Sequence, residues 1–84
     1  MALAFVLITT EPMKEEEVRR QLAGIDNITE FLPLFGEYDF IAKVESPNYE
    51  DLGKIVISQI RGIEGVEQTK TLSEGPLEGI DIKH

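Results

Sequence analysis

The chain has no cysteine and no tryptophan, and its single histidine, His84, is the last residue. Without thiols there is no cysteine nucleophile, no disulfide staple and no thiolate metal site. With the one histidine at the terminus, a Ser-His or Cys-His pair is not available in the body of the chain. Positive charge is scarce too: 8 Lys and Arg face 16 Asp and Glu, for a formal charge of −8. That average repels a phosphate backbone and no basic cluster overrides it, so direct nucleic-acid binding is not expected. No apolar run approaches the roughly 20 residues needed to cross a bilayer. Met1 opens almost directly into a strand with no basic leader, so a cytoplasmic protein without a membrane partner is expected. Acidic pairs carry little information in so acidic a chain. The glycines form no phosphate cradle with a lysine. The residues support no enzyme and imply no cofactor or metal.

What is present is one domain's worth of alternating elements. At 84 residues there is room for a single modest core, and a domain of this size is expected to need a partner. Ala2 to Thr9 is a nearly unbroken apolar run rich in β-branched residues, which reads as a strand. Pro12 sits near a helix start, and Met13, Val18 and Leu22 supply a sparse apolar stripe to a helix ending at about Ala23, with Gly24 as its stop. Glu15 with Arg19, and Glu16 with Arg20, are expected i,i+4 pairs worth about 0.3 kcal/mol each. Ile28 to Phe35 reads as a second strand, and Pro33 makes it an edge strand or a bulged one. Asp39 to Glu45 is a third strand. Ser46-Pro47-Asn48 offers cap chemistry for a second helix carrying Leu52, Ile55, Val56, Ile60 and Ile63. Val66 to Leu72 is a fourth strand, and a tail follows with a possible short strand at Ile80 and Ile82. Residues 1–74 are thus expected to form the domain and 75–84 the tail.

The order β-α-β-β-α-β predicts an α+β, ferredoxin-like fold with two helices on one face of a four-stranded antiparallel sheet. Strands one and two are apolar on both faces: Phe5 and Leu7 oppose Val6 and Ile8, while Phe31, Pro33 and Phe35 oppose Leu32 and Leu34. Two helices cover only one of those faces. A sheet wet on its second face should alternate cleanly, so self-association through the sheet is expected.

One polar constellation stands out. Gly36-Glu37-Tyr38-Asp39 joins two apolar strands, and Thr69 and Thr71 alternate on the fourth. A hairpin turn and threonines of high β propensity explain these residues. So does a small-ligand site, in which glycine allows close backbone approach and Asp39 meets an ammonium group at about 1.5–3 kcal/mol.

The segment Phe35-Gly36-Glu37-Tyr38-Asp39-Phe40-Ile41 and the ending Arg61-Gly62-Ile63-Glu64-Gly65-Val66-Glu67-Gln68-Thr69-Lys70-Thr71-Leu72 resemble the effector-binding (RAM) domain of the Lrp/AsnC transcription regulators. The resemblance covers roughly Ala4 to Glu74. It implies the same fold, paired into dimeric α/β barrels that assemble further, as in octamers or decamers, with amino-acid effectors in clefts between dimers. It also implies that Gly36, Tyr38 and Asp39 lie in the effector cleft, with Thr69, Thr71 and Ser73 close by and Tyr49 a further candidate. Full-length Lrp/AsnC regulators are the implied regulatory partners. No residues precede the first strand to build the family's helix-turn-helix domain, so a free-standing sensor is expected and DNA recognition is not carried over. Pro33 and the Gly75-Pro76 tail depart from the family pattern. The alternatives are a purely structural oligomerisation module and a small dimeric-barrel enzyme, the latter lacking a pocket His or Trp.

Overall fold

The apolar run at the start of the chain forms β1, Ala2–Thr10, in a computed structural model that describes residues 1–73, the side chain of Ile57 excepted. The chain continues through α1 (Glu15–Ala23), β2 (Ile28–Pro33), β3 (Phe40–Ser46), α2 (Tyr49–Lys54) with a π-helical extension (Ile55–Ile60), and β4 (Val66–Ser73). All strand pairings are antiparallel and the sheet order is β2-β3-β1-β4. This is the ferredoxin-like arrangement that the element order implied.

One face of the sheet is built for helices. Along β1, Ala2, Ala4, Val6 and Ile8 are buried, and Phe40, Ala42 and Val44 join them from β3. Val18 and Leu22 of α1 complete this core, with Leu52, Ile55, Val56, Ile60 and Ile63 from the second helical segment and its end. Helix α2 packs against both β1 and β3. All five apolar residues expected on the second helix are therefore core residues.

The opposite face keeps its apolar surplus. Phe5 pairs across the sheet with Lys43 and Leu72, and Leu7 and Leu32 both pair with Ile41. Phe5, Leu32 and Leu72 remain 39%, 57% and 49% exposed. On β2 the register shifts between Ile28 and Glu30. The irregularity lets residues three apart, Ile28 and Phe31, both pack on the core. Phe31 meets Phe40 edge-on with ring centroids 6.3 Å apart.

Local chemistry moves several boundaries. Met13 has φ 72° and is 92% exposed, so it sits in a turn and not on the α1 stripe. That turn is closed by Lys14 N–H donating to Glu11 O, and Glu11 N–H donates to Gly65 O. The helix starts at Glu15, and its ion pairs are Glu16–Arg19 and Glu17–Arg20, spaced i,i+3 and not i,i+4. The second strand stops at Pro33 and lies at the sheet edge, one of the two placements its proline allowed. Phe35 is consequently in an exposed turn and not on the sheet. The β-branched side chains of Ile55 and Val56 disfavour a regular α-helical turn. The backbone widens there, and Arg61 N–H bonds to Val56 O, five residues back. The expected tail, 75–84 with its extra strand, lies outside the described residues.

Candidate functional site

The connection from β2 to β3 carries Gly36, Tyr38 and Asp39. Gly36 has φ 114°, a conformation open to glycine, and a side chain there would point into open space. The loop is closed at its base by Leu34 N–H donating to Asp39 O at 2.8 Å. Asp39 then ties it to the sheet. Its N–H donates to Ile8 O at 2.8 Å, and its Oδ2 accepts from Thr10 N–H at 2.7 Å and from Thr10 Oγ1 at 3.2 Å.

The physical reason is the end of the β1–β3 ladder. The last pair is Ile8 with Phe40, so Thr10 N–H has no strand partner on that side. Thr10 is only 8% exposed, and an unmet donor there would be costly. The Asp39 carboxylate meets it. One oxygen of Asp39 is thus engaged within the chain.

The other expected residues divide by register along β4. Thr69 lies opposite Ile8, on the side of β1 away from Asp39, and is separated from it by about two strand spacings of 4.8 Å. Thr71 lies opposite Val6 and Ser73 opposite Ala4, each about 6.6 Å further along the strand. All three partners on β1 are core residues, so these hydroxyl side chains project on the helix-covered side, at the sheet's open edge.

Thr71 and Ser73 come together with Tyr49 in a groove between α2 and β4 of about 350 Å³. Leu52, Gly53, Val56 and Arg61 complete its lining. None of these four was expected at a site: Leu52 and Val56 were read as core, Arg61 only as part of the family-like ending, and Gly53 carried no expectation. The only signals for two of them were a glycine inside a helical pattern and an arginine outside the acidic helix. A second hollow of about 360 Å³ is lined by Val66, Glu67, Gln68 and Thr69, and Arg61 borders it as well. The structure therefore brings Tyr49, Thr71 and Ser73 together and keeps Gly36, Tyr38 and Asp39 together, with Thr69 between the two sets.

The strongest perturbations of charge lie elsewhere. Hydrogen bonds from Arg19 and Arg20 hold the Glu16 and Glu17 carboxyls below the usual carboxylate range, on a fully solvated face of α1. Among the described residues no group of three or more His, Cys, Asp or Glu is placed to hold a metal. No helix among them is long and apolar enough to cross a membrane.

Comparison with known proteins agrees with this fold. The family model for the Lrp/AsnC ligand binding domain matches residues 3–73. An uncharacterized HTH-type transcriptional regulator of Pyrococcus furiosus is 43% identical over 72 residues, covering 82% of this chain and 48% of the relative. The chain thus spans about half the length of the curated relatives it matches. The crystal structure of FFRP-DM1 superposes with a TM-score of 0.84 at 34% identity, covering 88% of this chain and 99% of that one. A transcriptional regulator from Neisseria meningitidis, solved in complex with L-Met, shares the fold at a TM-score of 0.75 and 15% identity, covering 96% of this chain and 53% of its own. These curated relatives are HTH-type transcriptional regulators. Matched over nearly all of its described length, the chain belongs to the Lrp/AsnC ligand-binding domain family.

Proposed function

We propose that this chain is an amino-acid-binding regulatory module that self-assembles and reports effector occupancy to Lrp/AsnC-type regulators in the cytoplasm. The observation that carries the reading is the match of residues 3–73 to a ligand-binding family. The choice of an amino acid rests on the L-Met complex of the Neisseria relative, which shares the fold. The effector sits against the Gly36–Asp39 loop at a boundary between copies. Gly36 lets its backbone approach, and Tyr38 and Thr69 supply hydroxyls. The remaining oxygen of Asp39 receives the ammonium group. Tyr49, Thr71 and Ser73 lie toward the far end of β4 and are left to the groove there.

Assembly follows from the outer face of the sheet. Phe5, Leu32 and Leu72, with Leu7 and Ile41 between them, leave apolar surface that a second copy would bury. Residues 1–74 are the working module. An effector held at a boundary between copies binds the assembled state alone, so ligand and assembly stabilise one another.

Thermal melting of the full chain with each of the twenty amino acids tests the reading. A ligand at a hundredfold its Kd adds about 2.7 kcal/mol, or a rise of about 10 °C or more for a domain of this size. Asp39→Asn should abolish the rise. If no amino acid moves the melting temperature, the effector reading fails.

A further inference from the structure

The groove between α2 and the open edge of β4 differs in chemistry from the loop. Its floor is apolar, from Leu52 and Val56, and Tyr49 adds an aromatic wall. Thr71 and Ser73 contribute hydroxyls from the strand, and Arg61 stands at the junction with the neighbouring hollow. The groove lining among the described residues contains one cation and no carboxylate. In a chain of net charge −8 that is a local reversal of sign. Lys14, Arg19, Arg20 and Lys54 each hold a glutamate, whereas Arg61, like Lys43 and Lys70, makes no ion pair among the described residues, and of these three only Arg61 lines the groove.

From these features we infer that the groove binds a small organic acid with a compact apolar body and no ammonium group, its carboxylate received by Arg61. A guanidinium presents a planar pair of donors that matches a carboxylate. The hydroxyls of Thr71 and Ser73 serve further oxygens of the ligand, while Leu52, Val56 and Tyr49 cover its hydrocarbon part. An ammonium group in the same place would lose hydration with no anion to replace it. The groove therefore selects against amino acids, the opposite of the preference proposed for the loop. The groove is bordered by the π-helical turn, through Val56 and the Arg61 that caps it, and such widened turns recur at functional sites. This inference does not rest on the amino-acid reading of the loop, because it uses different residues.

Gly53 supplies the means of testing it. A Cβ built on Gly53 meets nothing within 4 Å, so a larger side chain enters the groove without striking the backbone. Removing a glycine from a helix also favours the fold. Titration calorimetry on the full chain would compare 4-methylpentanoate and 4-methyl-2-oxopentanoate with L-leucine, which shares their carbon skeleton and adds the ammonium. Both acids should bind the wild-type chain, with L-leucine at least about 10-fold weaker at this site. Gly53→Leu and Arg61→Gln should each weaken the acids about 10-fold or more while melting no lower than the wild type by more than a few degrees. Asp39→Asn should leave acid binding unchanged. The inference is overturned if neither acid binds, or if L-leucine matches them at the groove. Acid binding that survives both groove variants, or that is lost with Asp39→Asn, overturns it equally.

Discussion

Replacing Asp39 separates its structural work from any role in binding. Its Oδ2 accepts two hydrogen bonds from Thr10, at 2.7 Å from the backbone N–H and 3.2 Å from the hydroxyl. Hydrogen bonds to a charged group contribute about 1.5–3 kcal/mol, and a buried donor left unmet costs about 1–3 kcal/mol. These overlap, since the second is largely the loss of the first. Asp39→Ala should therefore cost about 2–3 kcal/mol in the absence of ligand, a large share of the 5–15 kcal/mol typical of a whole domain. At about 4–8 °C per kcal/mol for a domain of this size, the melting temperature falls by about 8–24 °C. Asp39→Asn keeps an oxygen acceptor for Thr10 N–H and loses only the charge, so it should cost about 1 kcal/mol. Urea denaturation of the three proteins without added amino acid measures both numbers. An Asp39→Ala protein within about 0.5 kcal/mol of wild type would refute the clamp, because that is the range of an inert surface change. The asparagine variant is then the proper probe of ligand binding, since it leaves the loop in place.

Other perturbations test other parts of the structure. A Cβ on Gly65, at φ 103°, would fall 2.8 Å from Lys14 Cβ and 3.1 Å from Val18 Cγ2. Gly65→Ala should cost about 1–3 kcal/mol in urea denaturation, more than Gly36→Ala, which is strained but open. Asn48 caps α2 through an Oδ1 that accepts Asp51 N–H at 2.7 Å. Asn48→Ala should cost about 1 kcal/mol by the same assay. Phe5→Lys with Leu32→Lys should shift sedimentation toward the monomer with the fold intact by circular dichroism, since both side chains lie on the outer sheet face. On α1 the lowered Glu16 and Glu17 pKa values stabilise the folded state above the ordinary carboxylate value of 4.5. That contribution is lost as pH falls through the folded values, so amide exchange in α1 should accelerate there relative to α2.

The element order and the core faces were legible in the sequence because they follow from periodicity. Val6 and Ile8 alternate with Leu7, and Leu52 through Ile63 keeps helical spacing whether the turn is α or π. Pro33 pointed to an edge strand or a bulged one because a missing N–H is tolerated in either, and β2 lies at the edge with a register shift further up the strand. The failures were local competitions that periodicity does not record. Met13 was counted with the α1 stripe, but five residues before Val18 it falls about 140° away around a helix, and the turn closed by Lys14 and anchored on Gly65 holds it outside the helix. Phe35 is apolar enough for a strand, but the ladder ends at Pro33. The ligand residues were chosen by chemistry and by family resemblance, and neither shows which of them share a hollow. That depends on the β1–β4 register, which puts Thr71 and Ser73 beside α2. Arg61 was overlooked because nothing in its neighbourhood along the chain shows that it borders two hollows.

Native mass spectrometry of the full chain, with each of the twenty amino acids in turn, tests most directly whether this is an assembling effector-binding module. The expected result is a multimer whose mass shows a bound amino acid for at least one of the twenty, with Asp39→Asn losing that added mass. A monomer that retains none of them would contradict it.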